Sequence, residues 1–319
     1  MKNLIAIIAG EPNSINSEII AKAWKKTGRP RNIFVIGNYY LLKKQLSNLS
    51  LDIPLIKIAK IEDLKKQKKL CILDVPLKFK SLFNNSLSEV KSYIFKSFDI
   101  AHTLSLQKKI VGFINAPIDK RIFEEKYLGV TEYLAKKSKS NEVMMIHNHR
   151  LSVVPLTTHI EIKRVTNKIT SNLIIKKITT LNKTYFKLFK KKPKISILGL
   201  NPHNGENKNH SIENKIIKPA ISKLKKQKID ISGPFPADTA FSKKNITIYD
   251  VIVGMYHDQV LGPFKALYGY DAINITLGLK YLRLSPDHGI ARDIVGLNKA
   301  NPRSLINTIN FLNRVNDKT

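Results

Sequence analysis

The sequence predicts an α/β protein. Short β-branched runs alternate with longer amphipathic stretches along the chain, as strands do when interleaved with helices. Hydrophobic residues make up 43% of the 319, enough to fill a substantial core. Three of the β-type runs end on a histidine among turn residues, and in an open sheet ligands collect at the carboxyl ends of strands. A chain of this length makes two domains or one large unit around a deep cleft.

The elements follow in order. Leu4 to Ala9 is strand-like. Lys2 to Gly10 faintly resembles a signal peptide, but its apolar run is short and enters Gly10-Glu11-Pro12 where a cleavage site needs small residues, so it reads as the first strand. Ser17 to Lys26 has apolar positions at helical spacing, and Ile33 to Ile36, Leu70 to Leu73 and Ile110 to Ile114 read as buried strands. Leu151 to Leu156, Ile195 to Leu200 and Val251 to Met255 are the strands that lead into the three histidines. Asn172 to Lys190 is a long helix closed by lysines and then Pro193, Ile212 to Lys228 a second, and Arg303 to Val315 the last. Asn48 to Gln67 and Ser81 to Ser92 show no usable periodicity. There is no internal repeat, no low-complexity linker and no window of transmembrane length.

The charge is lopsided, 55 Lys and Arg against 24 Asp and Glu, a formal +31. Basic patches bind phosphate backbones. Here, however, lysine is spread through every segment beside Asn and Ile, residues that AT-rich codons encode, and no helix-turn-helix, zinc-finger spacing or Arg-rich stripe accompanies it. The expectation is a solvated surface with no nucleic acid and no membrane as partner, steering anions toward a cleft. The single cysteine, Cys71, excludes an internal disulfide and points to the cytoplasm.

The histidines are His159, after Thr157-Thr158; His203, in Asn201-Pro202-His203-Asn204-Gly205-Glu206; and His257, in Met255-Tyr256-His257-Asp258-Gln259. One loop histidine is usually a surface or hydrogen-bonding residue. Three at strand ends, two of them near an acid (Glu206, Asp258) able to orient an imidazole, suit a catalytic metal site with open positions. His147, His149, His102 and His210 read as ordinary turn, helix and loop residues. Lys265, Asn274 and Arg283 form a set of donors for an anion, Arg283 through its planar fork and Asn274 by sitting in a strand that disfavours it. The stretch from Pro286 to Gly296, ending in Ala300-Asn301-Pro302, can wrap an adenine ring. No GxGxxG occurs, so a Rossmann site is not supported.

Together these motifs resemble the 4-hydroxythreonine-4-phosphate dehydrogenase family of vitamin B6 biosynthesis, through nearly the whole chain. The likeness is carried by Gly199-Leu200-Asn201-Pro202-His203-Asn204-Gly205-Glu206, Gly233-Pro234-Phe235-Pro236-Ala237-Asp238-Thr239, Met255 to Gln259, Asn274 to Gly278 and Asp287-His288-Gly289. The segment from His288 to Pro302 is also similar to the cofactor loop of isopropylmalate and isocitrate dehydrogenases. The resemblance implies a two-domain α/β/α isocitrate/isopropylmalate dehydrogenase-like fold with a cleft between domains. It places residues 1–120 with about 280–319 on the cofactor side, and about 121–279 on the metal and dimer side. It implies His159, His203 and His257 as ligands of a divalent metal (zinc, cobalt or magnesium), drawn from the two subunits of a homodimer with its active site at the interface. Thr131, Lys265, Asn274 and Arg283 match substrate contacts; His288, Gly289, Ala291 and Asn301 are the candidates for NAD or NADP; Asp238 and Asp258 are the candidates for proton handling or for supporting a ligand.

The implied activity is oxidation of a small phosphorylated substrate, 4-phosphooxy-threonine, by NAD(P), followed by decarboxylation to 3-amino-2-oxopropyl phosphate. Two departures stand out. The family's Gly-His-Thr-Glu appears as Gly129-Val130-Thr131-Glu132, and the Gly-rich turn expected after Pro12 reads Asn13-Ser14-Ile15-Asn16-Ser17. Val130 cannot donate to an anion, a loss of roughly 1.5–3 kcal/mol. This leaves two alternatives: a dehydrogenase of a related sugar acid, threonate or erythronate 4-phosphate, and a non-catalytic binding protein of the same fold.

Overall fold

A computed structural model describes residues 4–64, 68–123, 127, 129–269 and 271–316. The chain divides into two compact units, Met1–Lys126 with Tyr281–Thr319 and Tyr127–Lys280. Among the described residues no helix is long and apolar enough to cross a membrane.

The first unit opens with β1 (Ile5–Ile8), α1 (Asn16–Lys26), β2 (Ile33–Gly37), α2 (Tyr39–Asn48), β3 (Leu55–Ile58), β4 (Leu70–Asp74), α3 (Leu87–Leu106) and β5 (Gly112–Asn115). β1, β2 and β5 are buried at every position, which is why they read as unbroken apolar runs: a parallel strand covered on both faces has no solvent side. α2 starts where the Asn38 side chain accepts from Leu41 N at 2.9 Å. α3 starts on a capping box between Ser86 and Glu89. That box lies within the stretch to which periodicity assigned nothing, and β3 lies within the other; residues 65–67 of that second stretch fall outside the described residues.

The second unit contains α4 (Val130–Ser138), β6 (Val143–His147), β7 (Ser152–Pro155), α5 (Ile162–Lys168), α6 (Ser171–Phe189), β8 (Ile195–Leu198), α7 (Lys218–Lys226), β9 (Ile231–Phe235), α8 (Ala237–Ala240), α9 (Asn245–Ile248), β10 (Val251–Gly254), α10 (His257–Tyr268) and β11 (Ile273–Leu277). The strand order is β11-β6-β7-β10-β8-β9, with β6 antiparallel to both neighbours and β7, β10, β8 and β9 mutually parallel. Ile146, Val153, Leu198 and Ile252 pack against Val260 and Phe264 of α10 to form a core that fixes this helix on the strands. The helix expected from Ile212 to Lys228 is not uniform. Glu213–Ile217 is a π-turn leading into α7. Pro219 explains it: with no N–H for the Lys215 carbonyl and a ring that crowds it, the chain widens before the α-helix resumes.

The chain then returns to the first unit with β12 (Leu282–Pro286) and α11 (Arg303–Asn316). β12 pairs parallel with β5, completing the order β3-β4-β2-β1-β5-β12 in that unit.

Candidate active site

In the second unit β7, β10 and β8 are adjacent and parallel, so their carboxyl ends share one edge. Each runs into one of the three histidines: β7 into His159, β10 into His257 and β8 into His203. The strand ends are tied together. Leu156 N donates to the Gly254 carbonyl at 2.9 Å, and Thr157 donates through N and Oγ1 to Met255 O. Gln259 bridges β10 and β8, accepting from Met255 N at 2.7 Å and donating to Gly199 O at 2.8 Å.

His159 and His257 come together, with ring centroids 5.7 Å apart. His257 is the first residue of α10, not a loop residue as the turn-like context suggested. Its Nδ1 lies 2.7 Å from Asp258 Oδ1, so the other ring nitrogen is the one available to a ligand. His159 Nδ1 stands 3.9 Å from Glu132 Oε1, which accepts from Thr158 Oγ1 at 3.0 Å. Glu132 Oε2 is buried with no hydrogen-bond partner among the described residues. Sequence reasoning gave Glu132 no role; its place one turn into α4, facing the strand that carries His159, could only come from the fold.

His203 is exposed in the turn Pro202–Asn207, and this turn is left-handed: His203, Asn204, Gly205 and Glu206 all have φ between 48° and 65°. Each non-glycine residue there costs ~1–2 kcal/mol, so the surroundings must hold it. Glu213, buried at 0% exposure, accepts from Leu200 N at 2.9 Å and Asn201 N at 2.8 Å, and Asn204 Nδ2 donates to Pro234 O at 2.9 Å. Burial raises the Glu213 carboxyl pKa, but the hydrogen bonds from Asn201 and Leu200 outweigh it and hold the group below its usual range. Glu206, the acid expected to support His203, is paired instead with Lys208 at 3.0 Å. Among the described residues no three His, Cys, Asp or Glu side chains gather closely enough to hold a metal. The two imidazoles at this spacing fit part of a divalent-metal site, one that needs a further ligand from elsewhere.

Thr131 is buried on α4, its Oγ1 3.5 Å from Thr276 Oγ1 on β11. Asn274 shares that strand face, being two residues away, and its Oδ1 is buried with no partner among the described residues. Lys265 is half-buried on α10, and Val130 is the first residue of α4. Asp238 is exposed in α8.

In the first unit Arg283 is buried on β12 and donates from Nε to Asn115 Oδ1 at 2.7 Å. A cavity of about 280 Å3 opens at the carboxyl ends of β1 and β5. It is lined by Glu11, Asn85, Asp119 and Arg121, and by Arg292 and Val295 of the loop after β12. The chain leaves β1 toward β2 on one side while β5 lies on the other, the switch point at which α/β sheets bind ligands. Burial pushes the Glu11 carboxyl up, and its Oε2 has no partner among the described residues. The Arg121 guanidinium holds Asp119 below the usual carboxylate range, and Arg292 reaches the same oxygen at 2.6 Å. Glu18 Oε1 fixes the far end of the loop by accepting from Ala300 N at 2.6 Å. Of the loop residues singled out from the sequence, His288 bonds to Gly289 O, Ala291 has a left-handed φ of 47° and Asn301 accepts from Arg303 N at the start of α11. The cavity takes Arg292 and Val295 from the loop in their place.

The family model of the pyridoxal phosphate biosynthetic protein PdxA matches residues 29–312. A 4-hydroxythreonine-4-phosphate dehydrogenase of Sulfurihydrogenibium sp. is 38% identical over 316 residues, covering 96% of each chain. A protein of Oceanobacillus iheyensis provisionally named D-threonate 4-phosphate dehydrogenase is 32% identical, over 97% of this chain and 96% of its own. The crystal structure of 4-hydroxythreonine-4-phosphate dehydrogenase from Klebsiella pneumoniae superposes with a TM-score of 0.85 at 27% identity, over 98% of this chain and 99% of that one. A more distant likeness, TM-score 0.50 at 13% identity over 98% of this chain and 84% of that one, links the fold to a β-decarboxylating dehydrogenase from Thermococcus kodakarensis. Strand-end histidines, overall fold and a match spanning nine-tenths of the sequence agree: the chain belongs to the PdxA family of pyridoxal phosphate biosynthetic proteins.

Proposed function

We propose that this chain oxidises 4-hydroxythreonine 4-phosphate with NAD or NADP, assisted by a divalent metal, and that the product loses carbon dioxide to give 3-amino-2-oxopropyl phosphate. One observation carries the reading: three adjacent parallel strands each end on a histidine, in a chain whose relatives bear the name of that dehydrogenase. The protein is an oxidoreductase of pyridoxine biosynthesis on this reading, working in the cytoplasm. His159 and His257 supply two metal ligands, and His203 of a second copy of the chain supplies the third in a homodimer. The donor set suits zinc or cobalt, with magnesium the less natural guest for imidazole.

A divalent ion held by His159 and His257 would supply positive charge, and a bound nicotinamide would supply hydride-accepting chemistry. The chain's own residues do the rest. Asp258, 2.7 Å from His257 Nδ1, orients the imidazole so that its other ring nitrogen is the one turned to a ligand. Thr131, Lys265 and Asn274 bind the substrate, the Asn274 amide being supplied by a strand face where its oxygen finds no partner among the described residues. Arg283 brings a planar guanidinium suited to phosphate or carboxylate. Asp238 is a candidate for proton handling. The switch-point cavity in the first unit supports nucleotide binding there, with the loop carrying His288, Gly289, Ala291 and Asn301 folded over it by the Glu18–Ala300 bond.

A second reading is favoured by Val130 and by the relative named for D-threonate 4-phosphate: the same chemistry on a phosphorylated sugar acid. Purified protein is assayed with both substrates, following the absorbance of reduced nicotinamide and analysing metal content. Turnover of the amino acid substrate is expected. Turnover of threonate or erythronate 4-phosphate alone selects the second reading, and a protein that takes up no stoichiometric metal removes both.

A further inference from the structure

The metal-site reading leaves unexplained what keeps His203 in place, since its turn runs against the normal handedness of the chain and its neighbouring acid is bonded to Lys208. The explanation lies ten residues beyond His203, in Glu213, the first residue of the π-turn. Glu213 has no exposure, and among the described residues no cation lies at hydrogen-bond distance from it. Its partners are all donors from the segment that launches the turn: Leu200 N, Asn201 N and the Asn201 amide, the last reaching both carboxylate oxygens at 3.2 and 3.1 Å. A buried carboxylate is tolerated only when its lone pairs are taken up this way. The same carboxylate faces the turn from beneath. A Cβ on Gly205, whose φ is 65°, would come within 2.9 Å of Glu213 Oε2 and 2.8 Å of Ser211 Cβ. Gly205 thus lets the turn settle onto the carboxylate, and a side chain there would lift it off.

We infer that Glu213 is the positioning residue of His203: its carboxylate pins the backbone at Leu200 and Asn201 and seats the left-handed turn that presents the imidazole. The π-turn serves this purpose, because it sets Glu213 at the head of α7 facing back toward the end of β8. Gln259, bonded to Gly199 O one residue earlier, joins the pinned segment to the strand end that carries His257. The inference rests on His203 being a metal ligand, and the test separates the two.

Full-length wild type, His203→Ala, Glu213→Gln and Gly205→Ala are compared for Co2+ affinity, by competition with a chromophoric chelator, and for the visible absorption of the bound ion. Leu224→Ala, which removes a buried side chain of α7 far along the helix from Glu213, serves as the control for lost stability. His203→Ala is expected to lose stoichiometric Co2+. Glu213→Gln is expected to melt cooperatively and bind Co2+ about 10- to 100-fold more weakly with an altered spectrum, the usual effect of removing a group that orients a ligand. Gly205→Ala, which disturbs the seat from the other side, should do the same and stands in if Glu213→Gln fails to fold. Leu224→Ala should lower Tm and leave Co2+ affinity alone. Wild-type affinity and spectrum in Glu213→Gln, or in Gly205→Ala where that stands in, overturn the positioning role. Undiminished Co2+ binding by His203→Ala overturns the metal reading itself.

Discussion

Gly278 directly follows β11, the strand that carries Asn274 and Thr276, and its replacement probes the close packing of the second unit. Its φ is 86°, and a Cβ built on it would lie 2.0 Å from the Asn141 carbonyl oxygen and 2.8 Å from Thr180 Cγ2. Alanine there incurs about 1–2 kcal/mol for the left-handed backbone. It must also push a backbone oxygen more than an ångström outward, an overpacking cost of about 1–3 kcal/mol. The sum, roughly 2–5 kcal/mol, falls in the range reserved for named structural faults. For a unit of this size each kcal/mol moves Tm by about 2–4 °C, so Gly278→Ala should melt roughly 4–20 °C below wild type. Gly262 provides the opposite case in the same unit. It sits in the exposed interior of α10 with nothing but its chain neighbours within 4 Å of an added Cβ. Gly262→Ala makes no such overlap, but its Cβ meets the ring of the following Pro263 within the helix, which offsets the gain in propensity, so its stability should stay within about 1 kcal/mol of wild type. Both are read by thermal and urea unfolding followed by circular dichroism. A Gly278→Ala protein within 2 °C of wild type, allowing about that much for scatter, would refute the close approach to Asn141.

Asp258→Asn should weaken metal binding about 10-fold, with Tm unchanged because Asp258 is exposed; chelator competition checks it, and unchanged affinity would mean the Asp258–His257 bond is incidental. Glu11→Gln bears on pH. Burial raises the folded-state pKa of Glu11 above its ordinary value of 4.5, so wild-type stability declines as pH rises from that value through the folded pKa, where the buried group is forced to ionise. The Tm of Glu11→Gln relative to wild type should accordingly climb across that window and level off above it, and a difference that falls with rising pH contradicts the assignment. Val130→His should lower the KM for 4-hydroxythreonine 4-phosphate by about 10- to 100-fold if a lost charged hydrogen bond of roughly 1.5–3 kcal/mol is being restored. An unchanged KM would indicate that the site has adapted to valine.

What could be read from the sequence and what could not divide along a physical line. Buried parallel strands announced themselves because burial on both faces forces apolar runs, and β1, β2, β5, β7, β8 and β10 all came out within a residue or two of expectation. The histidines were legible for a related reason, since polar side chains directly after such runs must lie at a sheet edge. Partnerships were not legible, because spacing along the chain says nothing about which acid a folded imidazole meets. Asp258 does meet His257, but Glu206 went to Lys208, and Glu132, on a helix that precedes β7, came to His159. The left-handed turn at His203 is the strongest case. Asn201 to Glu206 reads as an ordinary turn, and although Asn and His tolerate positive φ better than most residues, no local preference calls for four consecutive residues with one glycine among them to adopt it. Only a tertiary feature can stabilise that conformation, and Glu213 supplies it from beyond an intervening loop, at the head of a helix whose π-turn the sequence betrayed only through Pro219. Local rules therefore failed at the point where the His203 side chain is presented, and they failed because the backbone there is shaped by a buried carboxylate and not by its own residues.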